Sequence, residues 1–171
     1  HLGEIRQAAE HGVDAVCVGG DLASQLQPLM SPPHYRRFVQ PFHREITDLC
    51  HSLGMPVFKH SDGNLWPLLD DLLEAGFDGI NPIQPQSMDI AEAKGRLQGK
   101  ACIIGNIDCA ELLPYGSTED VVEAVHRTLD IAAPGGGYIL ASSNSIHPDC
   151  DPDNTIAMFR AAREFGVYAT R

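Results

Sequence analysis

Val57-Phe58-Lys59-His60-Ser61-Asp62-Gly63-Asn64 is the stretch that decides the fold prediction. A short apolar run ends here in an imidazole, a hydroxyl, a carboxylate, a glycine and an amide. This pattern is typical of a buried parallel strand that emerges at its carboxyl end and leads into a helix, here predicted over residues 65–75. Because α/β folds bind their ligands at that edge, the stretch predicts both a parallel sheet and the position of its site.

The same transition from an apolar run to a polar residue recurs along the chain. It recurs at Asp21, Gln84, Asp108 and Asn144, which gives five predicted strands in all. Predicted helices separate these strands, and strict alternation of the two implies a parallel sheet with right-handed crossovers. We therefore expect the polar side chains of all five strand ends to lie on one face.

Two architectures accommodate five βα units in this order. One is an open, doubly wound sheet that is complete in itself, and the other is the carboxyl-terminal part of a TIM (β/α)8 barrel. A polar residue at every strand end, rather than at one switch point, favours the barrel. The chain also opens with His1 inside a predicted helix. We therefore expect one partial barrel domain over residues 1–171, with its amino-terminal part missing.

Composition argues against several classes of partner. The 171 residues carry a formal net charge of -11, whereas nucleic acids and anionic membrane surfaces attract basic surfaces. No apolar run is long enough to span a membrane. The five cysteines show no framework spacing and are more typical of reduced thiols than of disulfides. We expect a cytoplasmic protein that binds neither nucleic acid nor membrane.

Six motifs follow one another in order over nearly the whole chain. They are Ser31-Pro32 with Pro41, His60-Ser61-Asp62-Gly63-Asn64, Asn81-Pro82-Ile83-Gln84-Pro85, Gly105-Asn106-Ile107-Asp108, Gly135-Gly136-Gly137-Tyr138-Ile139-Leu140 and Pro148-Asp149-Cys150-Asp151-Pro152. This succession resembles the uroporphyrinogen decarboxylase superfamily, which also holds the corrinoid and coenzyme M methyltransferases. The resemblance implies a TIM barrel of which this chain is the second half, with its own missing amino-terminal half as a partner.

Two positions depart from the patterns that the resemblance implies. Decarboxylases of the family carry a histidine in the loop after the last strand, where Asn144 stands here. The methyltransferases carry His-x-Cys-Gly-Asn and a further cysteine after the last strand, which together hold a zinc ion that activates a thiolate. His60 and Gly63-Asn64 match that pattern, but Asp62 and Asn144 stand at the cysteine positions. We therefore expect no zinc site of the family's own type.

His60 and Asp62 are the central candidates for chemistry. They are two residues apart, so on an extended strand both side chains point to the same side. They could hold a divalent metal such as zinc, or they could form an acid/base or substrate-binding pair. Alternatively, Asp62 caps the next helix while His60 bonds a backbone carbonyl. Asp21 and Asn144 complete the predicted catalytic set.

Four further polar residues are predicted to bind substrate. They are Asn81, Gln84, Asn106 and Asp108. Asp108 could equally be the N-cap of a short segment over residues 109–113. A separate zinc set of Cys109, His147 and Cys150 is only weakly indicated, because neither CxxC nor HxxxH spacing supports it.

The leading functional hypothesis is methyl transfer from a methylated donor to a corrinoid or thiol acceptor. It implies a small-molecule substrate, a corrinoid as a candidate methyl carrier and a corrinoid protein as a candidate partner. The alternatives are decarboxylation of uroporphyrinogen and a non-catalytic barrel that has lost its metal ligands, because fold alone does not specify function. Since the substrate-gripping residues of the decarboxylases lie in the missing half, we expect this chain alone to be inactive.

Overall fold

The computed structural model describes residues 2–168, in which helices and strands alternate. The strands are β1 (Val16–Val18), β2 (Val57–His60), β3 (Gly79–Asn81), β4 (Cys102–Ile107) and β5 (Tyr138–Ser142). The helices are α1 (Leu2–Glu10), α2 (Pro32–Phe38), α3 (Gln40–Ser52), α4 (Leu69–Glu74), α5 (Ile90–Leu97), α6 (Leu112–Tyr115), α7 (Thr118–Ala132) and α8 (Pro152–Phe165). The chain divides into two compact units, His1–Asn81 and Pro82–Arg171. Its organisation as one domain stays a prediction.

In the first unit, β2 lies between β1 and β3 and pairs with both in parallel. Val16 lies opposite Val57 at one end of the pairing, and His60 lies opposite Asn81 at the other. The leucines after β2 supply much of the core, and Leu65, Leu68 and Leu72 are fully buried. Each buried leucine contributes roughly 1.5–3 kcal/mol relative to exposure. The central strand therefore ends at His60 on a well-packed support.

The sequence predicts a helix over residues 31–52 that Pro41 bends or breaks, and the structure has two helices there, α2 and α3. The break falls at Val39, and Pro41 stands in the first turn of α3, where a proline is tolerated because its missing N–H has no partner to lose. Phe38 and Phe42 on either side of the break are more than half exposed. Similarly, the helix predicted over residues 65–75 begins as a 3-10 turn at Trp66–Leu68 and continues as α4.

In the second unit, β4 and β5 pair in parallel from Ile103 opposite Tyr138 to Ile107 opposite Ser142. The sequence predicts that β4 ends before Gly105, but the strand continues through Ile107. Gly105 is required there, because its φ is 149° and a Cβ atom would collide with the carbonyl of Pro82. Asn106 is consequently a buried strand residue rather than a loop residue.

All five cysteines are free, and Cys17 is exposed although its place within a strand predicts a core residue. None of the helices between residues 2 and 168 combines the length and apolar character needed to cross a membrane.

Candidate functional site

The site is built around His60, the last residue of β2. Its Nδ1 lies 2.6 Å from Oδ1 of Asn81, the last residue of β3. Because an amide oxygen only accepts hydrogen bonds, the Nδ1–H is the donor, and Nε2 of the neutral ring carries the lone pair. Nε2 lies 3.9 Å from Oδ1 of Asp62, and both side chains are 27% exposed. The strand pairing thus fixes the tautomer and orientation of the imidazole.

Asp21 joins this pair from the end of β1. Its Oδ1 accepts a hydrogen bond of 3.0 Å from the backbone N–H of Asp62. One ligand atom from each of Asp21, His60 and Asp62 lies within 4.8 Å of the others. The sequence predicts these three residues as members of one catalytic set, and the first unit brings them together.

The loops after β1 and β2 are held together by further hydrogen bonds. The backbone N–H of Leu22 donates to Ser61 Oγ at 2.9 Å, and that of Asn64 donates to the Ser24 carbonyl at 2.8 Å. Gly63 has a φ of 88° and passes so close to the Ser24 backbone that no Cβ atom fits between them. The cluster of Asp21, His60 and Asp62 therefore rests on two loops that are fixed to each other.

At the 3-10 turn after β2, whose N-cap residue is Leu65, a side-chain acceptor comes from Asn64. Its Oδ1 accepts the backbone N–H of Trp66 at 3.2 Å, at the start of the 3-10 turn. Asp62 instead directs its own N–H to Asp21. The role of the Asp62 carboxylate stays a prediction.

Lys59 is the residue near this site that sequence reasoning missed. It is fully buried, and Nζ lies between 2.7 and 3.3 Å from the carbonyl oxygens of Val18, Gly19, Gly20 and His60. Burial lowers the pKa of Lys59 to about 8, and the carboxylate of Asp21 opposes that shift. The sequence feature that could have indicated Lys59 is a lysine inside an apolar strand, next to the histidine that ends the strand.

The donor set fits a divalent cation but not the zinc site that the resemblance implies. Ligand atoms about 2.0–2.2 Å from a common ion lie up to about 4.4 Å apart, close to the spread seen for Asp21, His60 and Asp62. Two carboxylates and one imidazole form a harder set than one with two thiolates, and harder sets suit ions such as manganese or magnesium better.

The predicted residues of the second unit are held by local contacts. Asp108 Oδ1 accepts the Gln86 side-chain amide at 2.9 Å and the Ala110 N–H at 2.8 Å. Asn106 donates to the Ile83 carbonyl at 3.0 Å, and exposed Asn144 accepts the N–H of Ser145. Gln84 is half-buried at the turn after Ile83. That these four residues share a face with His60 stays a prediction, as do their roles.

Cys109, His147 and Cys150 do not form a metal-ligating group among the described residues. The Nε2–H of His147 donates to the Cys109 carbonyl at 2.9 Å, and the Cys150 thiol lies 3.6 Å from the same oxygen. Both thiols are buried. These side chains close a loop, and the zinc alternative for them is not supported.

The parallel strands alternate with helices, as in an α/β protein, and the cluster of Asp21, His60 and Asp62 lies near the carboxyl ends of β1 and β2. The chain belongs to the uroporphyrinogen decarboxylase family, since residues 4–165 match the family model described as Uroporphyrinogen decarboxylase (URO-D). The resemblance read from the six motifs is therefore confirmed, and it places the chain in a superfamily of enzymes.

Curated relatives come from both branches of the superfamily. The chain is 30% identical over 134 residues to the methylcobamide:CoM methyltransferase MtbA of Methanosarcina acetivorans, covering 76% of this chain and 38% of that protein. It is 29% identical over 143 residues to the uroporphyrinogen decarboxylase of Thioalkalivibrio sulfidiphilus, covering 81% and 39%. The chain thus spans about two fifths of the length of these relatives.

A solved structure confirms the fold. A methyltransferase from Methanosarcina mazei superposes with a TM-score of 0.79 at 23% identity, covering 97% of this chain and 46% of the other. The predicted fold class, an α/β protein whose five βα units match the carboxyl-terminal part of a TIM barrel, is confirmed.

Proposed function

We propose that this chain carries the metal-binding part of a methyltransferase site. The reaction moves a methyl group from a methylated donor to a corrinoid or thiol acceptor, and Asp21, His60 and Asp62 hold a divalent metal ion. The observation that carries the proposal is the convergence of one ligand atom from each of these residues within 4.8 Å. The methylcobamide:CoM methyltransferase relative supports the reaction type.

Each residue of the cluster has a defined task in this proposal. His60 offers the Nε2 lone pair, because Asn81 holds the proton on Nδ1. Asp62 and Asp21 supply the negative charge that a cation requires. When bound, a divalent cation stabilises the anion of a thiol acceptor and so lowers its pKa. Because Asp21 is exposed, the site is open to solvent, and the released thiol proton can leave to water.

The electron balance of the transfer limits what the protein must do. The lone pair of the acceptor forms the new bond to carbon, and the donor keeps the electron pair of the bond that breaks. The chain therefore needs to orient the acceptor and remove its proton, and needs no oxidant or reductant. A small-molecule substrate and a corrinoid protein are the partners that we propose, in the cytoplasm.

Methyl transfer can be measured with the intact protein. Methylcobalamin is supplied with a thiol acceptor, and loss of the cobalt–methyl absorbance is followed. We expect His60→Ala to abolish transfer, whereas His51→Ala leaves it intact. His51 is a matched control, because it forms an exposed pair with Asp78 at 2.8 Å in the same unit. Equal rates for wild type and His60→Ala would reject the proposed role.

Decarboxylation of uroporphyrinogen is the second candidate, favoured by the decarboxylase relative at 29% identity. It is tested by release of carbon dioxide from uroporphyrinogen by the same intact protein. Release of carbon dioxide without methyl transfer would reject the methyltransferase proposal in favour of decarboxylation. Absence of both activities in folded protein would favour the non-catalytic barrel.

A further inference from the structure

Lys59 occupies an unusual place for a charged side chain. It is fully buried within the central strand of the first unit. Burying an ammonium group is unfavourable unless its N–H donors are satisfied, and here carbonyl oxygens of the backbone accept the hydrogen bonds of Nζ. The side chain is therefore built into a polar pocket made of main chain.

The acceptors of Lys59 belong to both segments that carry the candidate metal ligands. Three of them belong to consecutive residues Val18, Gly19 and Gly20, which lead directly into Asp21. The fourth is the carbonyl of His60 itself, at 2.7 Å. One ammonium group thus ties the segment that delivers one ligand to the residue that provides another.

We propose that Lys59 is a positioning residue that holds the Val18–Asp21 segment against the end of β2 and thereby assembles Asp21, His60 and Asp62. Gly19 and Gly20 have no side chains, and a Cβ atom at either position would meet nothing within 4 Å. Packing therefore does little to fix this segment, and Lys59 supplies the contacts instead. The inference rests on the proposed metal site for its functional consequence, but its structural part is independent of any metal.

Two backbone hydrogen bonds report on the assembly directly. The Leu22 N–H donates to Ser61 Oγ at 2.9 Å, and the Asp62 N–H donates to Asp21 Oδ1 at 3.0 Å. Both bonds join the loop after β1 to the loop after β2. If Lys59 positions that loop, its loss must open these two bonds before it affects the rest of the sheet.

The test compares Lys59→Met with Lys94→Met in the intact protein. Methionine keeps an unbranched chain of similar length and removes the charge and the donors. Lys94 is a matched control, because it is also buried and donates to a glycine carbonyl, Gly136, at 2.6 Å in the second unit. Hydrogen exchange of individual amides is measured without metal, and Mn²⁺ affinity is measured by calorimetry.

We expect Lys59→Met to speed exchange at the Leu22 and Asp62 amides at least about tenfold, while the core amide of Ile80 is unchanged. We expect Mn²⁺ affinity to fall roughly 10- to 100-fold, the range for residues that orient metal ligands. Lys94→Met should change neither. If the methionine variant does not fold, the same measurements are made on Lys59→Gln, which retains two N–H donors without the charge.

Several results would overturn the inference. Wild-type exchange at Leu22 and Asp62 in a folded Lys59 variant would show that the loop does not depend on Lys59. Equal acceleration at Ile80, or failure of both Lys59 variants to fold, would mean that the lysine serves the fold as a whole. If wild-type protein binds no Mn²⁺, the proposed metal role fails, and the exchange data still decide the positioning role.

Discussion

His60 Nδ1 lies 2.6 Å from Asn81 Oδ1, at the paired carboxyl ends of β2 and β3. The contact ties the chemistry of the imidazole to the register of the sheet. A shift of one residue in the pairing would point the Asn81 side chain to the other face and release the proton that it holds on Nδ1. Asn81, which the sequence predicts as a substrate-binding residue, therefore has a contact that suits support of a metal ligand.

Substitution of Asn81 tests that support. Asn81→Leu removes the acceptor for Nδ1–H, so we expect divalent-metal affinity to fall roughly 10- to 100-fold. Asn81→Asp keeps an acceptor oxygen and should retain most of the affinity. Calorimetric titration with Mn²⁺ distinguishes the two variants. Equal affinities for Leu and Asp at this position would show that the hydrogen bond does not orient His60.

Protonation of the buried His43 should lower the free energy of unfolding in acid. It is buried, with Nδ1 2.9 Å from the Tyr35 hydroxyl, and burial followed by the charge of Lys59 lowers its pKa from 6.5 to about 4. The folded pKa lies below the unfolded one, so this stabilisation is complete above pH 6.5 and is lost as pH falls towards 4. The loss in free energy of unfolding should be on the order of 3 kcal/mol.

Denaturant unfolding at several pH values measures this contribution. His43→Gln keeps a hydrogen-bonding partner for Tyr35 but does not titrate, so its stability should fall less between pH 6.5 and 4. Parallel curves for wild type and His43→Gln would contradict the assignment.

Gly63 should be intolerant of any side chain. In Gly63→Ala the new methyl group collides with the Ser24 backbone. The alanine must also adopt the positive φ of 88° that the glycine has. Gly54→Ala is the matched control, since Gly54 has a φ of 74° but open space around it. We expect the control to lose about 1 kcal/mol from αL strain, and Gly63→Ala to lose roughly 1–3 kcal/mol more from overpacking. Thermal unfolding of both variants provides the comparison, and similar losses would show that the loops separate easily.

The sequence predicts the βα order and the end of β2 well, because both depend on local pattern. The apolar run before His60 and the polar residues after it mark the end of β2 to within one residue. The two-residue spacing also correctly placed His60 and Asp62 near each other, at 3.9 Å. The end of β2 follows from local pattern, whereas Asp62 lies two residues beyond the strand, in the loop that follows it.

Features that depend on contacts between distant segments were not predicted. The Lys59 ammonium reaches carbonyl oxygens about forty residues earlier in the chain, and the Asn81–His60 bond requires the β2–β3 register. No local pattern encodes either contact. The continuation of β4 through Asn106 was also missed, because a Gly-Asn pair is more typical of a turn.

Metal binding by the intact protein is the most direct test of the central claim that Asp21, His60 and Asp62 form a metal site. We expect one divalent ion per chain by elemental analysis, and a weaker affinity for zinc than in a relative with one histidine and two cysteines, since the carboxylates make a harder site. His60→Ala should lose more than the roughly 100-fold that outer-shell substitutions reach, and His51→Ala should bind as wild type does. Absence of metal from active wild-type protein, or tight stoichiometric zinc that survives His60→Ala, would contradict the account.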